Sequence, residues 1–240
     1  MQGRDRGLVL LVPILWGLNF PATALALQHY PPVLAAALRF LLMLPALLFV
    51  PFPKVRLRWL IGTGLGLGVL QFSFLYAGIA AGMPVGLSSL VLQASAPFTI
   101  VLAVLFLGER MTPRRLAGIG IAVLGLAIIG ASRALAAAWL PMALTLLAAF
   151  GWAIGNVSAR LARAPDPLQL TMWMAVVPPV PLLALSLLIE RPLILPALAG
   201  ALQPQAMAAN LGLAYIIVFS TVIGYGIWNG LMARYPASEV

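Results

Sequence analysis

The chain has 240 residues, of which 63% are hydrophobic and 8% charged. A soluble domain carries about 25% charged residues, so a water-facing surface cannot be built from this composition. Cysteine is absent, which excludes a disulfide framework and a thiolate metal site, and the net charge of +9 falls between apolar runs, where it reports membrane topology rather than nucleic-acid binding.

The apolar runs have the length needed to cross hydrocarbon as helices, roughly 18 to 25 residues each. In chain order they lie at about 7–27, 31–51, 58–80, 84–107, 113–131, 139–161, 167–189 and 207–234. Every backbone polar group in such a run must be satisfied within the segment, so the expected fold class is all-α integral membrane. No signal-peptidase-like site precedes the first run, which is therefore expected to be a retained span. The longest connection, about 190–206, contains Pro192, Pro196 and Pro204 and reads as an outer cap or loop.

Charge alternates with the runs. Arg4, Arg6, Lys54, Arg56, Arg58, Arg110, Arg114, Arg115, Arg160, Arg163 and Arg234 fall on one side, against Arg133 and Arg191 on the other. Cytoplasmic loops carry the Lys/Arg excess, so the N-terminus is expected in the cytoplasm of a cell with its inner (plasma) membrane as host.

The chain also repeats itself. Leu15-Trp16-Gly17 in the first span has a counterpart in Gly151-Trp152-Ala153 of the sixth, and a similar shift places Pro32 on Pro167 and Pro45 near Pro178-Pro179-Val180-Pro181. Spans one to three thus resemble spans six to eight. Five spans separate the copies, an odd number, so the halves are expected to be inverted about a two-fold axis in the membrane plane, as in alternating-access carriers. The repeat divides the chain into 1–131 and 132–240. Spans four and five have no second copy before Val240, so eight spans here and ten in a complete protein are expected.

Leu92-Gln93-Ala94-Ser95-Ala96-Pro97-Phe98-Thr99, Leu107-Gly108-Glu109-Arg110-Met111-Thr112-Pro113, Trp16-Gly17-Leu18-Asn19-Phe20 and Leu38-Arg39-Phe40 together resemble the EamA-type branch of the drug/metabolite transporter superfamily. The resemblance covers essentially the whole chain. It implies ten helices in two inverted five-helix repeats around a central solute cavity, and export of amino acids or other metabolites, aromatic amino acids in one similar group.

The residues that could carry transport are few. Trp16 and Trp152 lie near the middle of their spans, and Tyr76 and Trp228 are matched by the repeat. Interfacial belts are the usual place for such side chains, so central ones either line a cavity that stacks on flat solutes or pack between helices. Asn19, Gln71, Gln93, Asn156 and Asn229 could bind a solute's amino or carboxylate group, or bond between helices. Asn19 follows Trp16 by three residues and shares its face. Arg39 is the charge inside a span, roughly 12 Å deep. A charge there costs at least about 2.5 kcal/mol, so the expectation is that it attracts an anionic or zwitterionic solute, bonds to carbonyls as a structural residue, or snorkels to the outer edge. The expected solute site is therefore Trp16, Asn19, Arg39, Tyr76, Gln93, Trp152, Asn156, Trp228 and Asn229.

The acidic residues Asp5, Glu109, Asp166, Glu190 and Glu239 sit at span ends or in loops, which favours facilitated diffusion over coupling to an ion bound at an intramembrane carboxylate. One histidine, His29, gives no metal pair, and no Asp-rich motif is present, so neither an enzyme nor a metal or other cofactor is expected. The expected partners are a small-molecule solute and the lipid bilayer. A passive channel is the competing reading, and a carrier of nucleotide sugars or drugs is another. A channel would show a charge ring or a carbonyl filter, and neither is visible.

Overall fold

The computed structural model describes residues 3–108, 110–133, 139–225, 227 and 231. No strand occurs among them. Among the described residues, seven helical segments are long and apolar enough to cross a membrane: Asp5–Ala26, Pro32–Phe49, Leu57–Ala80, Val85–Leu107, Trp139–Ala162, Pro167–Ile189 and Pro204–Ile223. Eight were expected. The remaining expected run, the fifth, forms a 21-residue helix, Pro113–Arg133.

Contacts divide the chain into two compact units, Met1–Lys54 with Ala164–Val240, and Val55–Arg163. The first unit draws on both sequence halves.

The first unit begins with α1 (Gly3–Ala26), which carries Pro13 and Pro21. α1 packs along α12 (Met207–Tyr215) and the π-helical turn Ile216–Ile223 that continues it. The approach is backbone to backbone: a Cβ on Gly212 would stand 2.5 Å from the Ala22 carbonyl oxygen. With no hydrophobic drive between helices in lipid, such small-residue contacts supply the van der Waals attraction. α2 (Pro32–Leu41) is buried over Val33–Ala37 and again at Arg39 and Phe40, and it packs against α10 (Pro179–Ile189). α2 stops at Leu41 because Pro45, four residues on, would clash with that carbonyl and offers no N–H. A 3₁₀ stretch, Leu44–Phe49, completes the span. The seventh span breaks for the same reason. α9 (Pro167–Trp173) gives way to a 3₁₀ turn, Met174–Val176, ahead of Pro178 and Pro179.

Glu190 ends α10 and is 7% exposed. Its carboxylate accepts from the Val33 and Leu34 N–H groups at 2.8 and 2.9 Å and from Ser186 Oγ at 2.8 Å. It thereby satisfies orphan donors of the α2 N-terminus and sits at the positive end of that helix dipole. The 190–206 connection, expected as an outer cap or loop, carries a short helix, α11 (Arg191–Ala199). It is tied to the α1–α2 corner by His29 Nε2, which donates to the Ala197 carbonyl at 2.8 Å.

The second unit is organised on α8 (Trp139–Ala162). α3 (Leu57–Gly64), the π turn Leu65–Leu70 and α4 (Gln71–Ala80) form one span along it. Glycines make this contact possible. A Cβ on Gly66 would lie 2.2 Å from the Gly155 nitrogen, and one on Gly62 would lie 2.8 Å from Ser158 Oγ. α5 (Val85–Leu92) and α6 (Ser95–Leu107) form the fourth span. It ends on Gly108 in the left-handed region (φ 67°), which glycine adopts without Cβ strain. α7 (Pro113–Arg133) follows.

The two π turns fall at matching places. The shift of 152 residues that pairs Tyr76 with Trp228 carries Leu65–Leu70 onto 217–222, inside Ile216–Ile223. In each unit the π-bearing span packs on the span that carries a central tryptophan, Trp16 in α1 and Trp152 in α8.

Candidate functional site

Single π turns within α-helices are uncommon and recur at functional sites, because the wider register shifts carbonyls and side chains out of the α pattern. In the first unit, that shift assembles a polar cluster. Trp16 Nε1 donates to the Ser220 carbonyl at 3.1 Å. The indole is half-buried and lies 5.2 Å from the Tyr225 ring, tilted by 52°. Gly224 makes room for it, since a Cβ there would stand 2.8 Å from Trp16 Nε1.

Arg39 is the centre of the cluster and only 3% exposed. Its Nη2 donates to Thr221 Oγ1 at 2.9 Å, and its Nη1 donates to Asn19 Oδ1 at a longer 3.4 Å. Asn19 is itself buried, one helical turn beyond Trp16. Two bonds of the guanidinium thus go to neutral side chains, one from the first span and one from the eighth. Burying a cation stays costly unless its donors are satisfied, and an amide and a hydroxyl provide part of that satisfaction.

The second unit holds the other described residues of the expected site, in different surroundings. Tyr76 is fully buried, with its ring edge-on to Phe72 at 5.6 Å. Trp152 and Asn156 are half-buried on α8, one turn apart. Asn156 Nδ2 donates to Thr99 Oγ1 at 3.3 Å, which bonds α8 to α6. Gln93 is exposed at the break between α5 and α6. Gln71 is 6% exposed at the end of the π turn, and nearby Ser73 Oγ is buried without a hydrogen-bond partner among the described residues. Trp228 and Asn229 lie outside the described residues.

Trp16, Asn19 and Arg39 are thus brought together, whereas Tyr76, Gln93, Trp152 and Asn156 belong to the other unit. Sequence reasoning missed Ser220 and Thr221. Their signal is a pair of adjacent hydroxyl residues within the apolar run Ile216–Ile223. It also placed Glu190 at a span end without its burial or its partners.

A cavity of about 470 Å³ opens at the α1–α2 corner, lined by Leu27, His29, Tyr30, Pro31 and Pro32 with residues of α11. None of the residues expected to bind solute lines it. Tyr30 there donates to Asn210 Oδ1, and burial pushes its phenol above the usual range, so it remains a donor. No group of three or more potential His, Cys, Asp or Glu metal ligands occurs among the described residues.

Comparison with known proteins bears on what the cluster serves. The family model described as the EamA-like transporter family matches residues 7–131. A protein of Salmonella typhimurium named "Probable amino-acid metabolite efflux pump" is 43% identical over 247 aligned residues, which cover 100% of this chain and 82% of the relative. One of the same name from Escherichia coli is 39% identical with the same coverage. A "Probable terminal-alkyne amino-acid exporter" of Streptantibioticus cattleyicolor is 26% identical over 96% of this chain and 77% of its own length. No solved structure matches the chain.

Proposed function

Because the chain belongs to the EamA-like transporter family, we propose that it exports amino acids or closely related small metabolites across the inner membrane by alternating access. Its N-terminus is cytoplasmic in this reading, as the Lys/Arg alternation requires. The names of the similar efflux pumps support the solute class. The inverted repeat supports the mechanism, and the π turns at matched positions in the third and eighth spans support the repeat.

The observation that carries the proposal is the buried Arg39, held by the amide of Asn19 and the hydroxyl of Thr221. An α-amino acid presents a carboxylate, and guanidinium is the side chain best shaped to receive one with two parallel hydrogen bonds. Trp16, held by the same π turn, offers an amphipathic ring to the solute's side chain. Tyr76, Gln93, Trp152 and Asn156 of the second unit supply a second set of aromatic and amide groups, and Trp228 and Asn229 complete the proposed set.

The test is uptake of a panel of labelled amino acids by vesicles containing the reconstituted full-length protein. Saturable exchange of at least one amino acid, weakened in Trp16→Ala and Trp152→Ala, is expected. Transport unchanged in both variants contradicts the site assignment. Uptake of a nucleotide sugar or a drug cation but of no amino acid contradicts the solute class, and linear, single-channel-sized currents contradict a carrier.

A further inference from the structure

The π turn in the eighth span and the buried cation are joined through one hydroxyl. Thr23, Thr63, Thr99, Thr145 and Thr171 all donate their hydroxyls to the carbonyl four residues back, as threonines in regular helices do. Thr221 departs from them. Its Oγ1 donates to the Ile216 carbonyl at 2.8 Å, five residues back, a reach that follows from the π register. That bond commits the hydroxyl proton, so a lone pair is what Thr221 presents to Arg39 Nη2 at 2.9 Å. The neighbouring residue in the same turn, Ser220, gives its carbonyl to Trp16 Nε1. One local change of helix register therefore orients both the cation and the indole.

The Thr221 hydroxyl, fixed by its own bond to Ile216, thus holds one arm of the guanidinium in a set position. We infer that Thr221 is a positioning residue for solute recognition: through the π turn it fixes the Arg39 guanidinium so that its charge serves a carboxylate on the solute. The inference rests on the amino-acid reading above. It adds the group that is recognised and the residue that sets the recognition.

Two variants separate positioning from mere packing. Thr221→Val keeps the branched shape and removes the hydroxyl, whereas Thr221→Ser keeps the hydroxyl. The first measurement needs no solute: modification of Arg39 by phenylglyoxal in the full-length protein, followed by peptide mass spectrometry. Thr221→Val is expected to modify roughly tenfold faster than wild type, about the effect of one hydrogen bond to a charged group. Thr221→Ser is expected to return to the wild-type rate. The second measurement is counter-flow of labelled phenylalanine and of phenylalanine amide in reconstituted vesicles. Thr221→Val is expected to raise KM for the acid by roughly tenfold at unchanged maximal rate, and so narrow the preference over the amide. Arg39 reactivity equal in wild type and Thr221→Val overturns the positioning role, as does an equal loss of acid and amide transport in Thr221→Val. Where wild type carries neither compound, the pair is replaced by an amino acid of the labelled panel that it does carry and the amide of that amino acid; a wild-type protein that carries no amino acid of the panel overturns the amino-acid reading instead, and the reactivity of Arg39 in Thr221→Val still decides the role of Thr221.

Discussion

The α1 pair in the first unit and the α8 pair in the second share a plan and differ in content. In both, a span with a central tryptophan packs on a span that contains a π turn. Around Trp16 the interface is polar: the indole is hydrogen-bonded, and Arg39, Asn19 and Thr221 gather beside it. Facing α8 the interface is glycine on glycine, with Gly66 against Gly155 and Gly151 against Leu70, and the amide of Asn156 is used to bond α8 to α6. Duplicated architecture thus fixes where a register change occurs. The side chains decide whether that change serves a charge or a close contact.

The largest expected effect breaks the polar side of the comparison. Arg39→Met removes the cation and leaves Asn19 and Thr221 without their shared donor. A charged hydrogen-bond pair of this kind is worth about 1.5–3 kcal/mol per bond, so transport of a carboxylate-bearing solute should fall by roughly a hundredfold or more in vesicle uptake. Next comes Glu190→Ala. It strips the α2 N-terminus of acceptors for Val33 and Leu34, and should destabilise the protein by about 2–3 kcal/mol, read as a lowered unfolding temperature in detergent. Glu190→Gln retains an acceptor and should lose less.

Gly66→Ala probes the other pair. Its Cβ would meet the Gly155 backbone at 2.2 Å, and overpacking of that kind costs about 1–3 kcal/mol. Gly86→Ala in α5, where nothing lies within 4 Å, should be neutral by the same melting assay. The smallest effect is expected at the two central tryptophans. Trp16→Phe loses the bond to the Ser220 carbonyl, worth about 1 kcal/mol, and should weaken uptake by roughly fivefold. Trp152→Phe, with no such bond shown, should weaken it less.

Much of the fold was legible because lipid leaves few options. Length and hydropathy located the spans, and the helix breaks near Pro45 and Pro178 follow from a missing N–H. The π turns were not legible. Ile216-Ile217-Val218-Phe219-Ser220-Thr221-Val222-Ile223 has the hydropathy of any apolar helix, and nothing local in it specifies a register five residues long. Arg39 stood out as a charge in a span, but its partners come from spans one and eight, a distance in sequence that periodicity does not reach. Glu190 reads from the sequence only as a residue at a span end, because chain position does not reveal that the α2 N-terminus lies against it.

The claim that Arg39 receives the solute's carboxylate is tested most directly by the ratio of phenylalanine to phenylalanine amide exchange, measured side by side in wild type and Arg39→Met. Strong preference for the acid is expected in wild type and near equality in the variant. Equal preference in the two proteins would contradict it.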